Sequence, residues 1–171
     1  LKTADRTLRQ IAKASRGITA IVGTVLPNPE TGKPLFNAAV AVRDGKILHI
    51  QRKALLPNYD VFDEARYFEP VSRPTPPFSC GDLKIGVTLC EDIWNAKGLF
   101  PKALYPVDPV AEMAKHKPDL VVNLSASPFH REKQALRRSI LAKAAKKLKC
   151  PLLYCNLVGA NDDLVFDGTA L

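Results

Sequence analysis

The chain has 171 residues, of which 46% are hydrophobic, and its formal net charge is +8. This length and composition allow one sizeable hydrophobic core and predict one globular domain. No apolar run approaches the roughly 18 residues that cross a bilayer, and the N-terminal segment lacks the apolar stretch of a signal peptide. We therefore expect a cytoplasmic protein without a membrane partner.

Almost all of the net charge lies between Arg131 and Lys149, a segment with eight basic residues and one acidic residue. Aromatic residues are not interleaved with these charges, and no nucleic-acid-binding motif accompanies them. The pattern predicts a solvated helix face, or one that meets an acidic neighbour in a larger assembly. We expect no nucleic-acid partner.

Periodicity and turn residues predict the first elements. Thr3 to Ser15 places its apolar residues on one helical face, with Thr3 as the expected N-cap. Ile18 to Val25 is a short apolar strand. Two further strands flank Asp44 and Gly45, a pair typical of a tight hairpin, and they are Asn37–Val42 and Lys46–Gln51.

His49 alternates with Leu48 and Ile50 in the second hairpin strand. Because no nearby acidic residue would orient it, we interpret it as a sheet histidine and not as a catalytic base. The next segment, Lys53 to Pro70, is too irregular for a strand and too apolar for a solvated loop. Such segments often line a site. Four prolines between Pro70 and Pro77 then predict a rigid connector.

The segment from Leu83 to Asn95, LKIGVTLCEDIWN, predicts a buried strand that ends at a thiol. Cys90 stands where the strand gives way to Glu91 and Asp92, which suit the first turn of a helix. Free N–H groups in such a turn would stabilise a thiolate. Cys90 is therefore a candidate nucleophile, and a small buried core residue is the alternative.

The other cysteines are Cys80, Cys150 and Cys155, and the chain contains no CxxC pair. We expect reduced thiols and no metal site. A zinc site built from Cys150, Cys155 and a histidine is the alternative, but the spacing does not fit a zinc knuckle.

After Trp94, an irregular stretch interrupted by Gly and Pro leads into units in which strand, loop and helix alternate. The predicted elements are a helix at Asp108–His116, a strand at Leu120–Leu124, the basic helix, a strand at Leu152–Cys155, a polar turn at Gly159–Asp163 and a strand at Leu164–Phe166. This order predicts an α/β sandwich whose site lies at strand ends. No internal repeat or long linker divides residues 1–171.

Four motifs occur in a fixed order between Lys53 and Thr169: KALLPNYDVFDEARYF, GVTLCEDIWN, NLSASPFHREK and NLVGANDDLVFDGT. Together they resemble the nitrilase superfamily of carbon-nitrogen hydrolases, and within it the glutaminase domains of glutamine-dependent NAD synthetases. The resemblance implies a nitrilase-like α-β-β-α sandwich. It also implies that residues 1–171 are a glutaminase domain fragment, truncated at both ends, and that the synthetase domain is not present in this chain.

The family uses a Glu–Lys–Cys triad, and two of its members match this sequence. The resemblance implies that Cys90 attacks the side-chain amide of glutamine and forms a thioester with release of ammonia. Lys53 and the backbone N–H of Glu91 would hold the oxyanion, and Glu64 would support Lys53. The general-base glutamate of the family would lie upstream of Leu1, and no residue here matches it, so we expect the fragment alone to be inactive.

The resemblance also implies that Tyr59, Ser127 and Lys133 contact the α-amino and α-carboxylate groups of L-glutamine. Each has a structural alternative: Tyr59 as a core residue, Ser127 as a helix cap and Lys133 as part of the basic face. The loop near Asp162 and Asp163 departs from the family pattern, so its role stays open.

The resemblance further implies no cofactor in this domain, with ATP and magnesium used by the synthetase domain that receives the ammonia. It implies a homo-oligomer. Two other functions stay open: a stand-alone amidase of the same superfamily that acts on another ω-amide or nitrile, and a non-catalytic α/β binding module.

Overall fold

The computed structural model describes residues 1–95 and 104–171. The strands in this part of the chain are β1 Ala20–Pro27, β2 Leu35–Arg43, β3 Lys46–Arg52, β4 Phe78–Cys80, β5 Leu83–Leu89, β6 Leu120–Ser125, β7 Leu152–Asn156, β8 Val158–Asn161 and β9 Leu164–Asp167. The α-helices are α1 Lys2–Ala14, α2 Pro109–Lys115 and α3 Lys133–Leu148, and 3₁₀ turns lie at Glu64–Arg66 and Cys90–Ile93. Much of the irregular stretch predicted after Trp94 lies outside the described residues.

The strands form two main sheets and a hairpin. β1, β2 and β3 pair in sequence order and are antiparallel. The second sheet has the order β4-β5-β6-β7, in which β4 is antiparallel to β5 while β5, β6 and β7 are parallel. β8 and β9 form an antiparallel hairpin. The carboxyl ends of the three parallel strands therefore meet at one edge, where open α/β sheets commonly carry their sites.

Side chains along β2 alternate between its two faces, and this alternation explains how the sheets and helices are layered. Ala39 and Ala41 face the second sheet and pack with its apolar residues, whereas Val40 and Val42 face outward and pack against Leu8 of α1 and its neighbours. The two outer helices, α2 and α3, cover the opposite face of the second sheet with a separate cluster of apolar side chains. This arrangement confirms the predicted α-β-β-α sandwich.

Local turn chemistry confirms the first hairpin and corrects two expectations. Asp44 and Gly45 both have positive φ, 51° and 79°, as a tight turn between twisted strands requires. Thr3 lies inside α1, because the helix begins at Lys2 with Leu1 before it, so its predicted capping role is wrong. The predicted turn at Gly159–Asp163 is also too long, since β8 extends to Asn161.

The predicted solvated face of the basic helix needs one correction. Arg137 of α3 is 1% exposed, and its Nη1 donates a hydrogen bond to Asp167 at 2.8 Å. It falls on the face that α3 turns toward the sheet, with Ile140, Leu141 and Ala144. One cation of this segment therefore belongs to a buried ion pair. Among the described residues, no helix combines the length and apolar character that a membrane span needs.

Candidate active site

Cys90 follows β5 directly and begins the 3₁₀ turn Cys90–Ile93. Its φ of 38° lies in the left-handed region, which is uncommon for a residue with a side chain and is often found at functional turns. The turn brings the thiol to the edge where the parallel strands end. Cys90 lines a cavity of about 570 Å³, a volume within the usual range for small-molecule sites.

Lys53 and Glu64 line the same cavity and form an ion pair. Lys53, the residue after β3, is 2% exposed, and its Nζ lies 2.6 Å from Glu64 Oε1. Asn37 of β2 donates from Nδ2 to the second oxygen of Glu64 at 3.1 Å. Both carboxylate oxygens of Glu64 are thus engaged. The structure brings together the predicted nucleophile, cation and supporting carboxylate, and confirms that the segment after β3 lines a cavity.

The pKa of the Cys90 thiol is raised, whereas the stabilised thiolate expected from the sequence would require a lowered pKa. Burial is the largest influence and raises the pKa of Cys90. The charge of Lys53 and a hydrogen bond with Ser125 lower that pKa, while the carboxylates of Glu91 and Glu64 raise it. Because burial outweighs the cation, this thiol needs a base to become a nucleophile.

Glu91 is buried beside the nucleophile, with 3% of its surface exposed. Its Oε1 accepts hydrogen bonds from the hydroxyls of Tyr59 at 2.8 Å and Tyr105 at 3.0 Å. Burial raises the pKa of Glu91 above its ordinary value, although these hydroxyls lower it. Its backbone N–H lies in the first turn of a 3₁₀ helix, where N–H groups lack a partner within the helix. The oxyanion role of that N–H stays a prediction.

The three predicted substrate contacts occupy different environments. Tyr59 is 43% exposed, so it is not a core residue, and it meets the site through Glu91. Ser127 is buried and its hydroxyl accepts a hydrogen bond from Arg137 at 3.3 Å, while α3 begins later, at Lys133, so Ser127 does not cap it. Lys133 Nζ lies 5.6 Å from the centre of the Trp94 ring. None of the three lines the cavity beside Cys90. Their contacts with glutamine stay predictions.

Sequence reasoning assigned no role to several polar residues at this edge. Asn156 at the end of β7 donates from Nδ2 to the carbonyl of Ser127 and to Asp167, and its Oδ1 accepts from the N–H of Ser127. The sequence feature that could have indicated a role for Asn156 is its position at the end of a strand, where it pairs in register with Ser125 of β6. Asp92 was interpreted only as an acidic first-turn residue, but its two oxygens accept backbone hydrogen bonds from the distant Ala54 and Leu55 and from the nearby Leu89.

Metal ligation needs a cluster of suitable side chains. Within residues 1–95 and 104–171, no three His, Cys, Asp or Glu side chains are grouped so that they could hold a metal ion.

Comparison with known proteins places this site in a family. The family model described as carbon-nitrogen hydrolase matches residues 3–171. The chain belongs to the carbon-nitrogen hydrolase family. This membership confirms the resemblance on which the roles of Cys90 and Lys53 were inferred.

Relatives of this carbon-nitrogen hydrolase chain include glutamine-dependent NAD(+) synthetase from Synechocystis sp., which is 43% identical over 160 residues, covering 91% of this chain and 28% of the relative. The solved structure of glutamine-dependent NAD+ synthetase from Acinetobacter baumannii in complex with ADP superposes with a TM-score of 0.83 at 33% identity, covering 99% of this chain and 29% of the other. The chain thus spans somewhat more than a quarter of the length of these relatives.

A smaller relative is a variant of the amidase from Nesterenkonia sp. AN1. Its structure superposes with a TM-score of 0.76 at 25% identity, covering 99% of this chain and 59% of the amidase. That structure shows covalent addition of the acetamide moiety of fluoroacetamide at the active-site cysteine.

Proposed function

We propose that this chain is the glutamine-hydrolysing domain of a glutamine-dependent NAD synthetase and that it releases ammonia from L-glutamine. The observation that carries the proposal is the meeting of Cys90, Lys53 and Glu64 in one cavity. The similarity to NAD synthetases supports this choice over the non-catalytic binding module.

In the proposed reaction, the Cys90 sulfur attacks the side-chain amide carbon of glutamine. A C–S bond forms, and the carbonyl electron pair moves onto oxygen, where the Lys53 ammonium and the N–H of Glu91 stabilise the charge. The carbonyl then re-forms as the C–N bond breaks, and the nitrogen leaves as ammonia with the proton that the general base took from Cys90. Water then attacks the thioester, giving glutamate and the free thiol.

Deprotonation of Cys90 and activation of that water require a general base. Glu64 is a poor choice, because both of its oxygens are already engaged with Lys53 and Asn37. We propose that the base is a glutamate upstream of Leu1, as in the family. The 171-residue chain alone would then hydrolyse glutamine much more slowly than a version extended upstream by the preceding part of its gene.

The chemistry proposed for this cavity uses no cofactor. We propose that ATP and magnesium act in a separate synthetase domain, which receives the ammonia and amidates nicotinic acid adenine dinucleotide to NAD. We also propose a homo-oligomer as the functional assembly. A search of the gene for an ATP-pyrophosphatase motif downstream of Leu171 tests the presence of that domain.

Covalent labelling tests the nucleophile without requiring turnover. A version of the protein extended upstream, so that it includes the proposed base, is treated with a glutamine-analogue diazo-ketone, and each cysteine is examined by peptide mass spectrometry. We expect the label on Cys90, with protection by L-glutamine and no label on a Cys90→Ser control. Preferential labelling of Cys80, Cys150 or Cys155 would overturn the assignment. Protection by simple amides but not by glutamine would instead favour the stand-alone amidase.

A further inference from the structure

Asp92 is a buried carboxylate on the 3₁₀ turn that carries Cys90, with 2% of its surface exposed. Its Oδ1 accepts two hydrogen bonds from distant backbone, from the N–H of Ala54 at 3.0 Å and the N–H of Leu55 at 2.9 Å. These are the two residues that follow Lys53. One oxygen of Asp92 therefore holds the segment that supplies the cation of the site.

The other oxygen of Asp92 holds the nucleophile side. Oδ2 accepts a hydrogen bond from the N–H of Leu89 at 3.0 Å, the last residue of β5 before Cys90. The contact ties the third residue of the 3₁₀ turn to the residue that precedes the turn, and it accompanies the positive φ of Cys90. A single side chain thus joins the two backbone segments whose side chains meet in the cavity.

We propose that Asp92 is a positioning residue: its carboxylate fixes the Lys53 segment against the Cys90 turn and so sets the ammonium group beside the thiol. The proposal rests on the proposed function in taking Cys90 as the nucleophile. Lys53 lowers the pKa of the Cys90 thiol, and this influence depends on where its charge is held. A loosened clamp therefore weakens the assistance that Lys53 gives to the thiol.

The charge of Asp92 supplies geometry at a cost in stability. Burial raises the pKa of Asp92 to about 6, against the opposing effects of its backbone N–H donors and of Lys53. A carboxyl with a raised pKa in the folded state is harder to ionise there than in the unfolded chain. At neutral pH the ionised group therefore does not favour folding, and its contribution is the orientation of three backbone N–H groups.

Asp92→Asn separates these two contributions. An amide presents only one acceptor oxygen, so it can serve Ala54 and Leu55 or it can serve Leu89, and its NH₂ group then faces the remaining N–H donor. The shape and the fold are retained while one side of the clamp is lost. Asp92→Ala removes both sides and is the more severe variant.

The test measures alkylation of Cys90 by iodoacetamide as a function of pH, with the modified peptide quantified by mass spectrometry. In Asp92→Asn we expect the apparent pKa of Cys90 to rise by about one unit, which lowers the labelling rate roughly tenfold below that pKa. At about pH 7.5, the gain from removing a buried charge opposes the loss of a backbone hydrogen bond, so we expect the thermal midpoint to change little. In the background Lys53→Met, the same Asp92 change has no further effect, because the cation that it positions is gone.

Asp119→Asn is the matched control. Asp119 also accepts a backbone hydrogen bond on β5, from the N–H of Lys84 at 2.7 Å, but at the opposite end of the strand. Its labelling profile should match that of the unmodified chain. An unchanged profile in Asp92→Asn, an additive effect on top of Lys53→Met, or failure of Asp92→Asn to fold would each overturn the inference. Absence of Cys90 labelling by the glutamine-analogue diazo-ketone in the version extended upstream would instead refute the proposed function.

Discussion

Lys53→Met removes the cation of the site while keeping a flexible side chain of similar length. Lys53 is 2% exposed and its partner Glu64 is 19% exposed. Removing one partner of a buried ion pair costs about 3–5 kcal/mol when the remaining charge is fully buried. Glu64 keeps its hydrogen bond from Asn37 and some contact with water, so we expect a smaller loss, about 2–3 kcal/mol of unfolding free energy.

The same change should slow the chemistry of Cys90. Loss of the Lys53 charge raises the pKa of the thiol, so alkylation at neutral pH falls about tenfold. In a version of the protein that hydrolyses glutamine, turnover should fall by about 10²–10³, the usual effect of losing one oxyanion donor. Urea unfolding measures the stability and mass spectrometry measures the labelling.

A double variant separates the two effects. Lys53→Met with Glu64→Gln removes the unpaired carboxylate, so we expect it to recover about 1–2 kcal/mol relative to Lys53→Met alone. Cys90 should remain slow, because the cation is still missing. Near-normal Cys90 reactivity in Lys53→Met, or no recovery of stability in the double variant, would refute this reasoning.

Three further results are expected. Arg137→Met should lower the free energy of unfolding, measured by urea unfolding, by about 3 kcal/mol, because it leaves Asp167 without its buried partner. The exposed control Arg138→Ala on the same helix should change this free energy by less than about 0.5 kcal/mol. Burial opposes ionisation of Asp167, but hydrogen bonds from Arg137 and other donors outweigh burial and hold the pKa of Asp167 below its usual range. The free energy of unfolding should therefore fall as the pH drops below about 3.8. Unfolding measured as a function of pH should show a weaker fall in Arg137→Met. Burial lowers the pKa of His49, so the stability that the neutral imidazole contributes is lost as the pH falls below about 6.5. His49→Phe, whose ring can stack on Phe78, should remove this pH dependence without slowing the labelling of Cys90. Slower labelling of Cys90 would contradict the interpretation of His49 as a sheet residue.

Local patterns were sufficient for much of the fold. Alternating apolar residues around Asp44 and Gly45 predicted the hairpin because turn type and a period of two are properties of neighbouring residues. The apolar run before Cys90 likewise predicted a strand that ends at the thiol, and β5 ends at Leu89. The motifs that resemble the family then indicated Lys53 and Glu64 as partners of that thiol.

Tertiary structure alone decided the electrostatics and the clamp. The sequence could place Arg137 on a basic helix, but its burial depends on which face α3 packs against the sheet. Burial in the assembled cavity outweighs the nearby cation and raises the pKa of Cys90, against the direction that the sequence predicted. Asp92 lies 38 residues from Ala54 in sequence, and only the packing of the two segments brings its carboxylate to that N–H. Charges and hydrogen bonds of this kind depend on distances through space, which a local pattern does not contain.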